Sequence, residues 1–225
     1  EALNYKDMFM FLMQTNDTLE VRGQPVDPEA NPFQIHRKWN FISYLPQYNM
    51  TVKEAFSRFT PNHGDIVKSQ YAFTMFDQSM GWVGSLTYMQ PNFGYMYYYA
   101  ESDATPDVQE LIYPARGMLK KNQHIDNSKE LMSVWDVKPA QYQSNMNIVA
   151  KIETNGKFSI QPEDVLVVYS DKRYIGCVTV DEMSSKYFLT CYGNEPDAEM
   201  KFRLYRTESN EMYEFTERTS YIADG

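Results

Sequence analysis

The sequence predicts an all-β protein built from two small antiparallel, β-sandwich-like modules, the first carrying one short helix. Three observations predict it. Aromatic residues make up 15% of the chain, with 18 Tyr, 13 Phe and 3 Trp, and aromatic side chains pack well on a pleated surface. Short apolar runs alternate with turn residues, the pattern of a sandwich or barrel. Segments with helical periodicity are scarce.

The strand-like runs are, in order, Phe41–Tyr44, Ile66–Lys68, Tyr71–Phe76, Trp82–Tyr88, Tyr95–Tyr99, Asn147–Ile152, Val165–Tyr169, Ile175–Val180, Tyr187–Tyr192 and Met200–Tyr205. One further run, Tyr5–Met13, opens the chain and reads as cut from something longer. The helix is expected at Thr51–Phe59, where Thr51 and Glu54 have the spacing of a capping box and Val52, Ala55, Phe56 and Phe59 share a face. Arg116–Glu130 is polar and unpatterned and reads as a linker, giving modules over residues 1–117 and 130–225.

A pattern recurs on the two sides of that linker. Asn49–Val52, Gly64–Val67 and Trp82–Thr87 are echoed by Asn145–Ile148, Glu163–Leu166 and Tyr174–Thr179, at offsets of 92 to 99 residues. Variable offsets are what two copies of one supersecondary unit show when their loops differ.

A net charge of −9 argues against nucleic acid, whose recognition needs a positive face, and against an anionic membrane surface. There is no run of apolar residues long enough for a transmembrane helix, so no membrane insertion is expected.

The segments Trp39–Tyr44, Gly64–Gln70, Gly81–Leu86 and Pro91–Met96 resemble a repeat found in large secreted proteins of the Bacteroidetes. Trp135, Asn145-Met146, Ile175-Gly176, Tyr187–Leu189 and Phe202–Tyr205 resemble a companion module of such proteins. The resemblance implies a secreted or cell-surface location and neighbouring domains in the same chain. Its motifs are structural and carry over no catalytic residue.

Two features invite a binding role. Along a strand, Tyr95, Tyr97 and Tyr99 share one face, with Met96 and Tyr98 on the other. That row is either an exposed carbohydrate platform or a half-buried sheet face with its hydroxyls at the rim. Trp82, flanked by Gly81 and Gly84, either plugs a core or stacks on a sugar.

Asp65 and Asp164 precede apolar strands at matching places and read as turn-stabilising residues, since no EF-hand spacing occurs around them. His36, His63 and His124 are scattered and match no metal spacing, so neither metal nor other cofactor is expected. No nucleophile elbow or phosphate loop occurs, and the chain reads as no enzyme. Cys177 and Cys191 lie opposite each other if Val178–Thr190 is a hairpin; they are then either a strained disulfide or two buried thiols. The expected function is a non-catalytic structural or adhesion-type module, or alternatively a carbohydrate-binding module using Trp82, Tyr95, Tyr97 and Tyr99. The partner is accordingly a glycan or a cell-surface protein.

Overall fold

The computed structural model describes residues 4–9, 15, 18, 20, 23–114 and 128–223. The fold is all-β and antiparallel. In chain order the strands are β1 (Phe33–His36), β2 (Lys38–Ser43), β3 (Met50–Thr51), β4 (Ile66–Lys68), β5 (Phe73–Asp77), β6 (Gly81–Gly84), β7 (Tyr88–Met89), β8 (Gly94–Tyr99) and β9 (Val108–Leu111), then β10 (Ser144–Ala150), β11 (Val165–Ser170), β12 (Arg173–Thr179), β13 (Tyr187–Gly193), β14 (Glu199–Arg206) and β15 (Glu211–Ser220). Two short helices are described, α1 (Val52–Ala55) and α2 (Ser128–Val134). None is long and apolar enough to cross a membrane, among the described residues.

The chain divides into two compact units. One takes the described residues of Glu1–Ser69, Met75–Trp82 and Thr87–Ile125; the other takes those of Gln70–Thr74, Val83–Leu86 and Asp126–Gly225. Strands β5 and β6 therefore contribute residues to both.

In the first unit β8 lies between β2 and β4 and pairs antiparallel with both. Two shorter ladders join β1 to β9 and β3 to β7. The core is aromatic: Tyr44, Tyr95, Tyr97, Tyr99 and Tyr113 are buried with Phe33, Phe56 and Phe59. Buried tyrosines need a partner for the hydroxyl, and each finds one nearby. Tyr44 donates to the Tyr48 carbonyl, Tyr99 to Pro106 and Tyr113 to Ser43, while Tyr95 accepts from the Gln90 amide.

Helix α1 has the expected capping box, with the Thr51 side chain accepting from the Glu54 amide at 3.1 Å and the Glu54 carboxylate accepting from the Thr51 amide at 2.8 Å. It is shorter than Thr51–Phe59. After Ala55 the chain tightens into i→i+3 turns, Ser57 N to Glu54 O and Phe59 N to Phe56 O, and Phe56 and Phe59 enter the core from there.

In the second unit β11 pairs with β12 and β14, β14 with β15, and β10 with β13. The hairpin expected between Cys177 and Cys191 opens after a single bridge, Asp181 to Lys186. Beyond it β12 keeps its ladder with β11 while β13 pairs with β10. The two cysteines are therefore not opposed in one ladder; both are free and buried. Gly176 marks a close approach, since a Cβ there would meet the Thr190 carbonyl at 2.7 Å. Gly84 of the echoed motif, at φ +151°, has the same role: its Cβ would meet the Phe73 carbonyl at 2.5 Å.

Other expectations shift at their edges. The run Trp82–Tyr88 breaks into β6 and β7. Helix α2 begins at Ser128, inside the segment read as linker, whose residues 116–127 lie outside those described. Of the opening run Tyr5–Met13, residues 10–13 also lie outside them, and Tyr5–Asp7 form a turn closed by Asp7 N to Asn4 O. Strands β1, β3, β9 and β15 have no counterpart among the expected runs.

Candidate functional site

The tyrosine row projects inward. Tyr95, Tyr97 and Tyr99 are 1%, 0% and 0% exposed, so no ring offers a face on which a sugar could stack. The exposed platform is replaced by a buried sheet face. Phe56 stacks on Tyr97 at 4.9 Å, and Phe59 meets Tyr97 and Tyr99 edge-on at 5.4 and 5.7 Å. Trp82 is half-buried against Phe56, Phe76 and Tyr97. It completes the same aromatic cluster and makes no platform with the tyrosines.

At the centre of that cluster lies a buried carboxylate. Asp65 is 0% exposed and accepts three hydrogen bonds. The Asn62 amide donates at 2.8 Å, the Tyr97 hydroxyl at 2.5 Å and the Ala100 amide at 2.7 Å. Asp65 N donates back to the Asn62 carbonyl at 3.0 Å, so the side chain closes the turn that launches β4. Burial pushes the Asp65 carboxyl above its ordinary value of 3.8, opposed by those three donors and by Arg37. Arg37 secures the loop after β8, donating to the Ala100, Ser102 and Thr105 carbonyls while its guanidinium lies 4.3 Å above the Tyr99 ring.

Asp164, also 0% exposed, repeats the device in the second unit. The Gln161 amide donates to it at 3.0 Å and the Thr207 amide at 3.1 Å, and Asp164 N donates to the Gln161 carbonyl at 3.1 Å. Ala100 follows the end of β8, the strand paired with β4; Thr207 follows the end of β14, the strand paired with β11. Each aspartate thus ties the turn before one strand to the residue after its antiparallel neighbour. The turn and the strand start were visible in sequence; the distant amides were not.

The cysteines are equally committed to the interior. Burial pushes the Cys177 thiol up to about 12 and the Cys191 thiol higher still, the latter with a smaller contribution from Cys177. Neither is a ready nucleophile. No group of three or more His, Cys, Asp or Glu side chains is placed to hold a metal, among the described residues. His63 lies 3.7 Å from Asp77 and its Nδ1 accepts from the Gln78 amide at 3.4 Å, while His124 lies outside those residues.

The opposite face of β8 carries the exposed aromatics. Its register sets Trp39 beside Tyr98 and Phe41 beside Met96, with Ile66 and Lys68 across β4. Trp39 is 39% and Phe41 56% exposed. The Trp39 and Tyr98 rings lie 5.1 Å apart at 59°, and the Lys68 ammonium sits 4.9 Å from the Trp39 ring. Alternation along β8 assigned Tyr98 to this side; that Trp39 and Phe41 join it depends on the β2–β8 register, which no local pattern encodes. No family profile, curated protein or solved structure matches this chain.

Proposed function

We propose that the chain is a non-catalytic structural or adhesion-type part of a longer secreted or cell-surface protein. One observation carries the non-catalytic reading: the two buried carboxylates are bonded to the fold itself. Asp65 and Asp164 hold backbone amides on both sides of a strand pair, and Tyr97 donates to Asp65. Both carboxylates are fully buried and committed to these donors, out of reach of a substrate proton. The surface location rests on the resemblance of Trp39–Tyr44, Gly64–Gln70 and their companions to repeats of secreted Bacteroidetes proteins.

A second reading, carbohydrate binding, is favoured by the outer face of β8, where Trp39, Phe41 and Tyr98 stand together. One experiment separates the two. The protein and its Trp39→Ala variant are run on native gels containing a panel of neutral polysaccharides, and the same mixtures are assayed for new reducing ends. Unretarded migration is expected for a spacer. Retardation lost in Trp39→Ala, with an unchanged melting curve, would favour carbohydrate binding, and release of reducing ends would overturn the non-catalytic reading.

A further inference from the structure

A cavity of about 500 Å³ in the second unit gathers cations on an otherwise acidic chain. Its lining comes from two turns. The hairpin turn between β11 and β12 supplies Lys172, with Arg173 and Tyr174 at the start of β12, and the chain around the 3-10 turn Pro139–Gln141 supplies Lys138, Gln141 and Tyr142. Lys138 is neutralised by Asp136, the only acid of the lining, at 2.9 Å. Lys172 and Arg173 have no ion-pair partner among the described residues.

The turn itself is unusual. Asp171 and Lys172 both have positive φ, +46° and +67°, as a two-residue hairpin turn of this hand requires, and glycine is the usual occupant of the second place. A lysine is held there against its backbone preference, and such strain recurs where a side chain serves a ligand. Beside the cations Tyr142 and Tyr174 present aromatic rings. A second cavity, of about 360 Å³, shares Tyr142 and Arg173 and adds Ser170, Asp171 and Glu195, partners for hydroxyl groups.

We propose that this pair of cavities binds a carboxylate-bearing oligosaccharide, with the acid group at Lys172 and Arg173, a sugar ring against Tyr142 and Tyr174, and hydroxyls of the next sugar at Ser170 and Glu195. Two adjacent cations without an ion-pair partner among the described residues favour an anion. The tyrosines and hydroxyl partners favour a sugar over an acidic peptide, which has no ring face to offer.

Lys172→Gly is the diagnostic variant, because it removes a cation while relieving the turn. Titration calorimetry with a galacturonate trisaccharide at low salt should show binding, weakened roughly fivefold in Lys172→Gly and similarly in Arg173→Gln, while the melting temperature of Lys172→Gly stays level or rises. Affinity should fall as salt is raised. Absence of binding, parental affinity retained in both variants, or equal affinity for a neutral galactose trisaccharide, inorganic sulfate or a short polyglutamate would each overturn the proposal.

Discussion

Asp65 and Asp164 solve one problem with different means. Both launch a strand from a turn closed by the amide three residues earlier, and both reach an amide just beyond the paired strand. The difference lies in what completes the carboxylate. Three residues before Ala100 stands Tyr97, whose hydroxyl donates directly; three residues before Thr207 stands Leu204, which has nothing to donate. The register agrees, with Val67 opposite Tyr97 and Leu166 opposite Leu204. The second unit puts a cation in the tyrosine's place, with Arg206 Nε 3.7 Å from Asp164, whereas Arg37 is only the smallest of the influences on Asp65. A buried carboxylate can thus be balanced by hydrogen bonds or by a neighbouring cation, with the backbone part of the clip unchanged.

The sharpest way to break the comparison is to delete each carboxylate. Asp65→Ala strands three buried donors and should cost about 3–4 kcal/mol. Asp164→Ala strands two amides and leaves Arg206 with its exposed partner Glu208, so a loss of about 2–3 kcal/mol is expected. Urea unfolding measures both. A smaller loss for Asp65 than for Asp164 would contradict the ranking of their partners.

The tyrosines near the two clips sharpen it further. Tyr97 donates to Asp65, whereas the buried Tyr187 hydroxyl near Asp164 has no hydrogen-bond partner among the described residues. Tyr97→Phe should therefore cost about 1–2 kcal/mol, and Tyr187→Phe should stay within about 0.5 kcal/mol of the parent. Equal losses would show that the Tyr97 hydroxyl adds nothing to the clip.

Much of this was legible before the fold was known. Alternation in Gly94–Tyr99 separated two faces, and Asp before an apolar run signalled a turn. Which face of β8 turns inward was not legible, because Tyr suits a core with hydroxyl acceptors as well as a wet surface. The partners of the clips were hidden for a different reason: Ala100 lies 35 residues from Asp65 and Thr207 lies 43 from Asp164. Strand β15 escaped notice because Glu211–Ser220 is charged and almost wholly exposed. It is an edge strand held by β14, and its charges and the register shift opposite Lys201–Arg203 are devices that discourage edge-to-edge pairing. The cysteine hairpin failed because β13 leaves β12 to pair with β10, a strand more than 30 residues earlier in the chain.

The central claim is that both aspartates are partners of groups in their own fold and hold no metal. Amide hydrogens pointing at a carboxylate would repel a cation placed there, so metal should be irrelevant to the fold. Thermal unfolding in excess calcium and in excess chelator tests this most directly. The two midpoints should agree within error; a clear rise with calcium would contradict the account, because a ligand that binds only the folded state must stabilise it.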